Sequence, residues 1–364
     1  MTTSTAAPIR FAKGAGNDFY ATLRQRVNTY FEETKLSRHA NSTMVSKTIF
    51  MVALYLVPFV LSLTVVENAL VFWLLWVTMG VGMAGIGLSV MHDANHGAYS
   101  ANPRVNSLLG YLLNLVGGCA GYWKIQHNVL HHTYTNIQGH DEDISRVQVL
   151  RFSPHAKKMK MHRYQHYYAW LLYGLMTLSW VTTKEFAQLF EFREKGLLSG
   201  KHDFRNMLLE LVLTKVIYYA YILVLPMLIL PFSPWFILLC FVSMHFVGGL
   251  ILSLVFQPAH VVPDAAYPLP DEEGRMENNW AIHQILTTTD FGHRQRLLSW
   301  YMGGLNYQIE HHLFPTVCHV HYRALAPIVR QTAQEFGLPY HVEKSWQGAI
   351  HSHWKMLRSL AKEV

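Results

Sequence analysis

Charge is scarce in this sequence. Only 15% of its residues are Asp, Glu, Lys or Arg, against about 25% in an ordinary soluble domain. The shortfall is also uneven. Thr48 to Val66, Asn68 to Met91 and Val216 to Phe256 contain no charged side chain at all. Cysteine is scarce too. Cys119, Cys240 and Cys318 cannot complete a disulfide set and have no zinc-ribbon spacing, which excludes a disulfide-stapled scaffold and fits a reducing compartment. There is no apolar leader, because the first apolar run starts near residue 48; no secretory signal is expected. No repeat, low-complexity tract or Pro/Gly linker divides the chain, so one domain is expected.

What is present is long apolar sequence. Crossing a lipid core takes about 20 apolar residues per helix, and Pro231, Ser233 and Pro234 split the last run in two. The expectation is an all-α integral membrane protein with four transmembrane helices in two hairpins and a helical cytoplasmic cap. Residues 1–47 form a lead-in at the interface, 48–91 the first hairpin and 92–210 one part of the cap. Residues 211–256 form the second hairpin and 257–364 the rest of the cap.

The net charge is +7, and the turns around Glu67 and at Pro231–Pro234 hold no Lys or Arg. Basic residues mark the cytoplasmic side, so both termini and the cap are placed there. Because the basic residues flank the spans and form no single stripe, nucleic acid is excluded as a partner. Asn106 to Trp123 and Tyr164 to Thr183 are also uncharged. If either crossed the membrane, histidines that look like one site would fall on opposite sides, so both are expected to be interfacial or re-entrant.

Histidine is abundant, at 22 residues, and part of it is ordered. His92-Asp93-Ala94-Asn95-His96 closes the second span. His127-Asn128-Val129-Leu130-His131-His132 follows the first interfacial stretch. His260 ends FQPAH, and Gln308-Ile309-Glu310-His311-His312 completes the set. Residues i and i+4 share a helix face, so His92 can converge with His96, and His127 with His131. In each His-His doublet the imidazoles diverge, one toward each of two ions. Eight imidazoles provide about four per ion. Neutral imidazole suits iron, zinc, copper or nickel, whereas magnesium or calcium would call for carboxylates.

HDANH, HNVLHH and QIEHH resemble the three histidine boxes of membrane fatty acid desaturases. The glutamine opening the third box resembles the front-end and linoleoyl-CoA-desaturase-like branch. HHTYTN, DEDI and WYMGGLNYQIEHHLFPTVCHVHY agree, and the resemblance covers roughly residues 10 to 340. It implies a non-heme di-iron centre at the cytoplasmic membrane face, using O₂ and two electrons to desaturate an acyl chain carried on CoA or in a lipid. By the same resemblance the ligands are His92, His96, His127, His131, His132, His260, His311 and His312. Gln308 stands where the family often has histidine, as a ligand or a water holder. Asp93 and Glu310, with Asp141 and Asp143, are candidates to orient ligand imidazoles from behind.

His245-Phe246-Val247-Gly248-Gly249 lacks the proline of a cytochrome b5 heme motif, so no fused heme is expected. An external donor such as ferredoxin or cytochrome b5 with its reductase would supply electrons. The expected location is a bacterial inner membrane, otherwise the endoplasmic reticulum. Gly80, Gly82, Gly85 and Gly87 suit close helix packing or room for an acyl chain. His155, His162 and His166 are expected at the membrane surface. A lipid hydroxylase on the same centre is the nearest alternative. A zinc-dependent membrane lipid hydrolase would need only about three protein ligands and a carboxylate base such as Glu310 or Asp93. A transporter would need polar groups at mid-membrane, of which the spans offer few.

Overall fold

The computed structural model describes residues 9–12, 17–145, 148–200 and 203–362. Parts of the polar lead-in, residues 1–8 and 13–16, lie outside it, as does the extreme C-terminus. Helix α1 (Asn17–Thr34) precedes four long apolar helices: α2 (Ser42–Thr64), α3 (Ala69–Asn95), α4 (Phe204–Ile229) and α5 (Pro234–His260). These have 23 to 27 residues, so roughly 35–40 Å of helix, enough to cross a lipid core of about 30 Å. Their outward side chains are apolar, including Ile49, Leu70, Leu228 and Trp235. A soluble monomer does not expose such a girdle.

Each helix runs past the apolar block that announces it. α2 begins at Ser42 because the Asn41 side chain accepts the Met44 N–H at 3.0 Å. α4 begins at Phe204 because Asp203 accepts from Asn206 N at 2.7 Å. Such caps satisfy otherwise orphaned N–H groups, so α2 starts six residues and α4 twelve residues before its charge-free run. At the other ends, α3 continues to Asn95 and α5 to His260. His92 and His260 therefore belong to the spanning helices themselves.

α3 is the hub, packed on α2 and on α5. A Cβ at Gly80 would lie 2.4 Å from the Met244 carbonyl oxygen, and one at Gly82 would lie 2.7 Å from the Leu54 backbone. Only glycine allows these backbones to approach so closely. Gly87 instead lines a cavity, so the glycine-rich stretch both packs helices and leaves space. The 106–123 stretch folds as short pieces, among them Pro103–Gly110 and Ala120–Trp123, and neither it nor 164–183 supplies one of the four long apolar helices.

Among the helices that follow the spans are α6 (Gln308–Leu313), α7 (Tyr322–Glu335) and α8 (Trp346–Lys362). Among the described residues, two parallel two-residue strands, β1 (Asp290–Phe291) and β2 (Val342–Glu343), and an isolated bridge between Arg10 and Arg275 interrupt the helices. Phe19, Leu23 and Val27 of α1 bury against Leu325 and Val329 of α7 and Ile309 of α6. The lead-in thereby braces the third histidine box.

Several histidines take structural roles. His162 is buried, with Nε2 2.8 Å from the Gln148 carbonyl, so it is not the surface residue its basic neighbours suggested. His283 bonds the Thr135 carbonyl at 2.8 Å, and His353 bonds the Val261 carbonyl at 2.7 Å. Burial pushes both pKa values down to about 4. An unfolded histidine titrates near 6.5, so the unfolded chain binds more protons between those values. Stability contributed by the neutral rings is full above pH ~6.5 and is lost as pH falls toward 4. Melting temperature is accordingly expected to drop between pH 7 and 5, with His353→Gln reducing the drop; a pH-independent melt would refute this.

Candidate metal centre

Box one sits on the last turns of α3, immediately after a π-helical stretch, Ile86–Val90. Box two is itself largely π-helical, Lys124–His131. In a π-helix the bonded partners are five residues apart, and the histidine pairing follows. His127 Nε2 lies 3.2 Å from His132 Nε2, while the His127 and His131 rings stack with centroids 5.3 Å apart. The i, i+4 pairing expected for box two is thus joined by an i, i+5 pairing, and His127 and His131 still group with Asp143 within 4.8 Å. His92 and His96 do come together, with ring centroids 4.8 Å apart.

All eight expected imidazoles meet in one buried region. His92, His96, His127 and His311 form one group, and His131, His260 and His312 a second. Within each group, one ring nitrogen per residue lies within 4.8 Å of the others. His132 joins them: it groups with His311 and His312, and its Nε2 is 3.0 Å from His311 Nε2. Of the third-box doublet, His311 belongs to the first group and His312 to the second, and both also group with His132.

The groups behind the rings set the tautomers. His260 Nδ1 donates to the Thr287 carbonyl at 3.2 Å, and His312 Nδ1 to Gln284 Oε1 at 2.7 Å. His131 Nδ1 lies 3.2 Å from both carboxylate oxygens of Asp141. Carbonyl and carboxylate oxygens only accept, so Nδ1 carries the proton and Nε2 presents a bare lone pair. Asp141 is itself held by the backbone N–H groups of Asn136 and Asp143, at 2.9 and 3.0 Å. Burial, helped by neighbouring imidazoles, drives His96, His127, His132, His311 and His312 well below the usual histidine range. They are neutral at pH 7. At His131 burial acts in the same direction, but the Asp141 and Asp143 carboxylates outweigh it and raise the pKa.

Neutral imidazoles with nitrogens 3.0–3.2 Å apart repel through their lone pairs unless a proton or cation lies between them. His96 Nε2 is buried with no hydrogen-bond partner, as is Gln308 Oε1. Gln308 Nε2 is 3.0 Å from His260 Nε2 and 3.3 Å from His312 Nε2, so its amide occupies the second group. These features fit cations held by nitrogen donors.

Asp93 and Glu310 occupy other positions. Asp93 Oδ2 accepts from His319 Nδ1 at 2.8 Å, and His319 Nε2 meets Lys47 Nζ at 2.7 Å. Glu310 Oε1 accepts from the Tyr340 hydroxyl at 2.9 Å. Among the described residues neither carboxylate hydrogen-bonds any of the eight imidazoles. Asp141 does, together with Gln284 and Thr287, which no motif marks, and Tyr322, whose hydroxyl is 3.2 Å from His311 Nδ1. Replacing Asp141 by Asn should lower metal retention 10- to 100-fold with little loss of fold, as read by metal content after dialysis against a graded chelator. Unchanged retention would remove Asp141 from the site.

Beside the histidines runs a cavity of about 330 Å³, lined by Met83, Gly87, Trp123, His127, Leu252 and Phe256 among others. Its wall is mostly apolar, with Gln126, Asp143 and Lys184 adding polar groups. The fold and site together define an integral membrane protein whose clustered, buried imidazoles border a cavity suited to a hydrocarbon chain.

The chain belongs to the fatty acid desaturase family, whose model matches residues 67–344. It is 33% identical to an sn-1 linoleoyl-lipid 6-desaturase from Arthrospira platensis, over 99% of this chain and 96% of that one. A protein of the same description from Synechocystis sp. is 35% identical, covering 98% and 99%. An acyl-lipid (8-3)-desaturase from Physcomitrium patens is 35% identical, covering 97% of this chain and 74% of that protein. The protein is a membrane oxidoreductase that desaturates fatty acyl chains, in the front-end branch of that family.

Proposed function

We propose that this protein introduces a double bond into a lipid-bound, already unsaturated acyl chain, between an existing double bond and the carboxyl end. The observation that carries this reading is the juxtaposition of two groups of buried imidazoles with an apolar cavity that His127 itself lines. Relatives described as acyl-lipid desaturases support the lipid-bound substrate.

In this reading two iron ions are held by His92, His96, His127, His131, His132, His260, His311 and His312, with Gln308 as a further ligand or water holder. When bound, the metal pair supplies the oxidising power of O₂ needed to break unactivated C–H bonds. The balance is two substrate hydrogens, O₂, two electrons and two protons, yielding the alkene and two waters. The chain's own residues position the substrate. Trp123 and Phe256 flank the hydrocarbon, and buried apolar walls exclude water from it. Asp141, Gln284 and the Thr287 carbonyl fix the rings of His131, His312 and His260.

The spans form two hairpins, with the site and the α6–α8 cap on the cytoplasmic face, because the basic residues cluster on that side. A zinc hydrolase is disfavoured, because Asp93 and Glu310, the carboxylates inside the boxes, are bonded to His319 and Tyr340.

The test is expression in a host without endogenous desaturases, fed defined fatty acids, with double bonds located by gas chromatography–mass spectrometry. A new unsaturated acid at a carboxyl-side position is expected. Purified protein carrying zinc instead of iron, with no new acid formed, would overturn the reading.

A further inference from the structure

Electrons must reach the histidine cluster by a route other than the acyl cavity, which substrate fills during turnover. A second hollow, of about 310 Å³, shares no lining residue with that cavity. His293, Tyr307, Arg323, Arg330, Gln334 and Tyr340 line it, and no Asp or Glu does. Arg323 and Arg330 are exposed, and among the described residues no carboxylate pairs with either. Arg330 sits over the Tyr340 ring at 5.1 Å. Arg294, also exposed, adds a third positive charge beside His293.

This basic hollow is wired to box three. Tyr322, adjacent to Arg323 in the chain, has its hydroxyl 3.2 Å from His311 Nδ1. Tyr340 reaches from the rim to Glu310, the residue before His311, and also to Asp290, at 2.9 and 2.8 Å. One residue step along the chain and one hydrogen bond thus separate surface Arg323 from a box histidine.

We infer that this hollow is the docking site of a small acidic redox protein, which delivers the two electrons through Tyr322 and Tyr340. The inference rests on the desaturase reading for its purpose and on charge complementarity for its partner. Unpaired arginines around a concavity attract an acidic surface and raise its association rate.

The test compares wild type with the Arg323→Glu/Arg330→Glu variant of the full-length enzyme, using a plant-type ferredoxin and, separately, reduced methyl viologen. The variant should lose about tenfold or more in ferredoxin affinity, and its ferredoxin-driven KM should rise to match. Iron content and viologen-driven turnover should be unchanged. Wild-type ferredoxin binding should weaken as salt increases. Equal ferredoxin binding by variant and wild type would overturn the docking site, and so would absence of binding to wild type. A parallel loss with viologen would make the arginines structural and overturn it too. Competition by inorganic phosphate at constant ionic strength would reassign the hollow to a small anion. Failure of wild type with both reductants, with ferredoxin binding intact, would count against desaturation and not against docking.

Discussion

His311→Ala is expected to abolish new double bonds, lowering product by about a hundredfold or more, and to strip metal from the purified protein. No other imidazole holds its position. It groups with His92, His96 and His127, and its Nε2 is also 3.0 Å from His132 Nε2, the ring that reaches toward the second group. Losing an outer-shell partner of a ligand typically costs 10- to 100-fold, and losing the ligand itself should cost more. The fold should survive, because α6 is anchored by Ile309, whose N–H donates to Asp290 at 2.9 Å, and by its apolar packing on α1 and α7. Metal analysis, lipid profiling and size-exclusion chromatography on one preparation decide the matter. Full activity in a folded His311→Ala protein would show that the cluster is not the reaction centre.

The second large effect is on stability. Lys215 lies on α4, and its Nζ is 2.5 Å from Glu185 Oε2, with both side chains buried. The ammonium also donates to the Gly117 and Trp180 carbonyls, at 2.6 and 3.2 Å. The other Glu185 oxygen accepts the Cys119 N–H at 2.9 Å. This knot ties the 117–119 turn, the 180–185 helix and a spanning helix into one wall, and Gly118, Trp180 and Val181 of that wall line the acyl cavity. Gly117, at φ 89°, packs so tightly on Tyr218 that an added Cβ would lie 2.8 Å from its ring. Lys215→Ala should therefore destabilise the protein by about 3–5 kcal/mol, the usual cost of leaving one buried charge unpaired. Replacing both partners, Lys215→Met with Glu185→Leu, should restore most of the loss. Thermal unfolding in detergent reads both. A single variant as stable as wild type would mean that water reaches the pair.

The four spanning helices were legible because charge is missing from them in blocks, and the eight imidazoles because they recur in ordered spacings. What escaped was local geometry that leaves no mark in composition. Nothing in KIQHNVLH announces a π-helix, so an α-helical ruler paired His127 with His131 and did not foresee that His127 also meets His132. Nothing marks Gln284, Thr287 or Tyr322 either. They are ordinary polar residues, and only the folded chain brings them behind a histidine ring. Asp93 and Glu310 were suspected because they lie inside the boxes. Adjacency in sequence turned their carboxylates away from the imidazoles, toward His319 and Tyr340. The helix ends were misjudged because Asn41 and Asp203 act as caps beyond the last apolar residue.

His92 and His260 each occupy the closing turns of a spanning helix, and this makes the site a depth gauge. On the proposed reading of a lipid-bound substrate whose headgroup stays at the water interface, counting carbons from the carboxyl end would become a measurement of vertical distance, set by helix length. Bilayer thickness enters the same measurement, because a helix answers mismatch by tilting. An enzyme that kinks acyl chains would thereby stand in the medium whose thickness its own product changes.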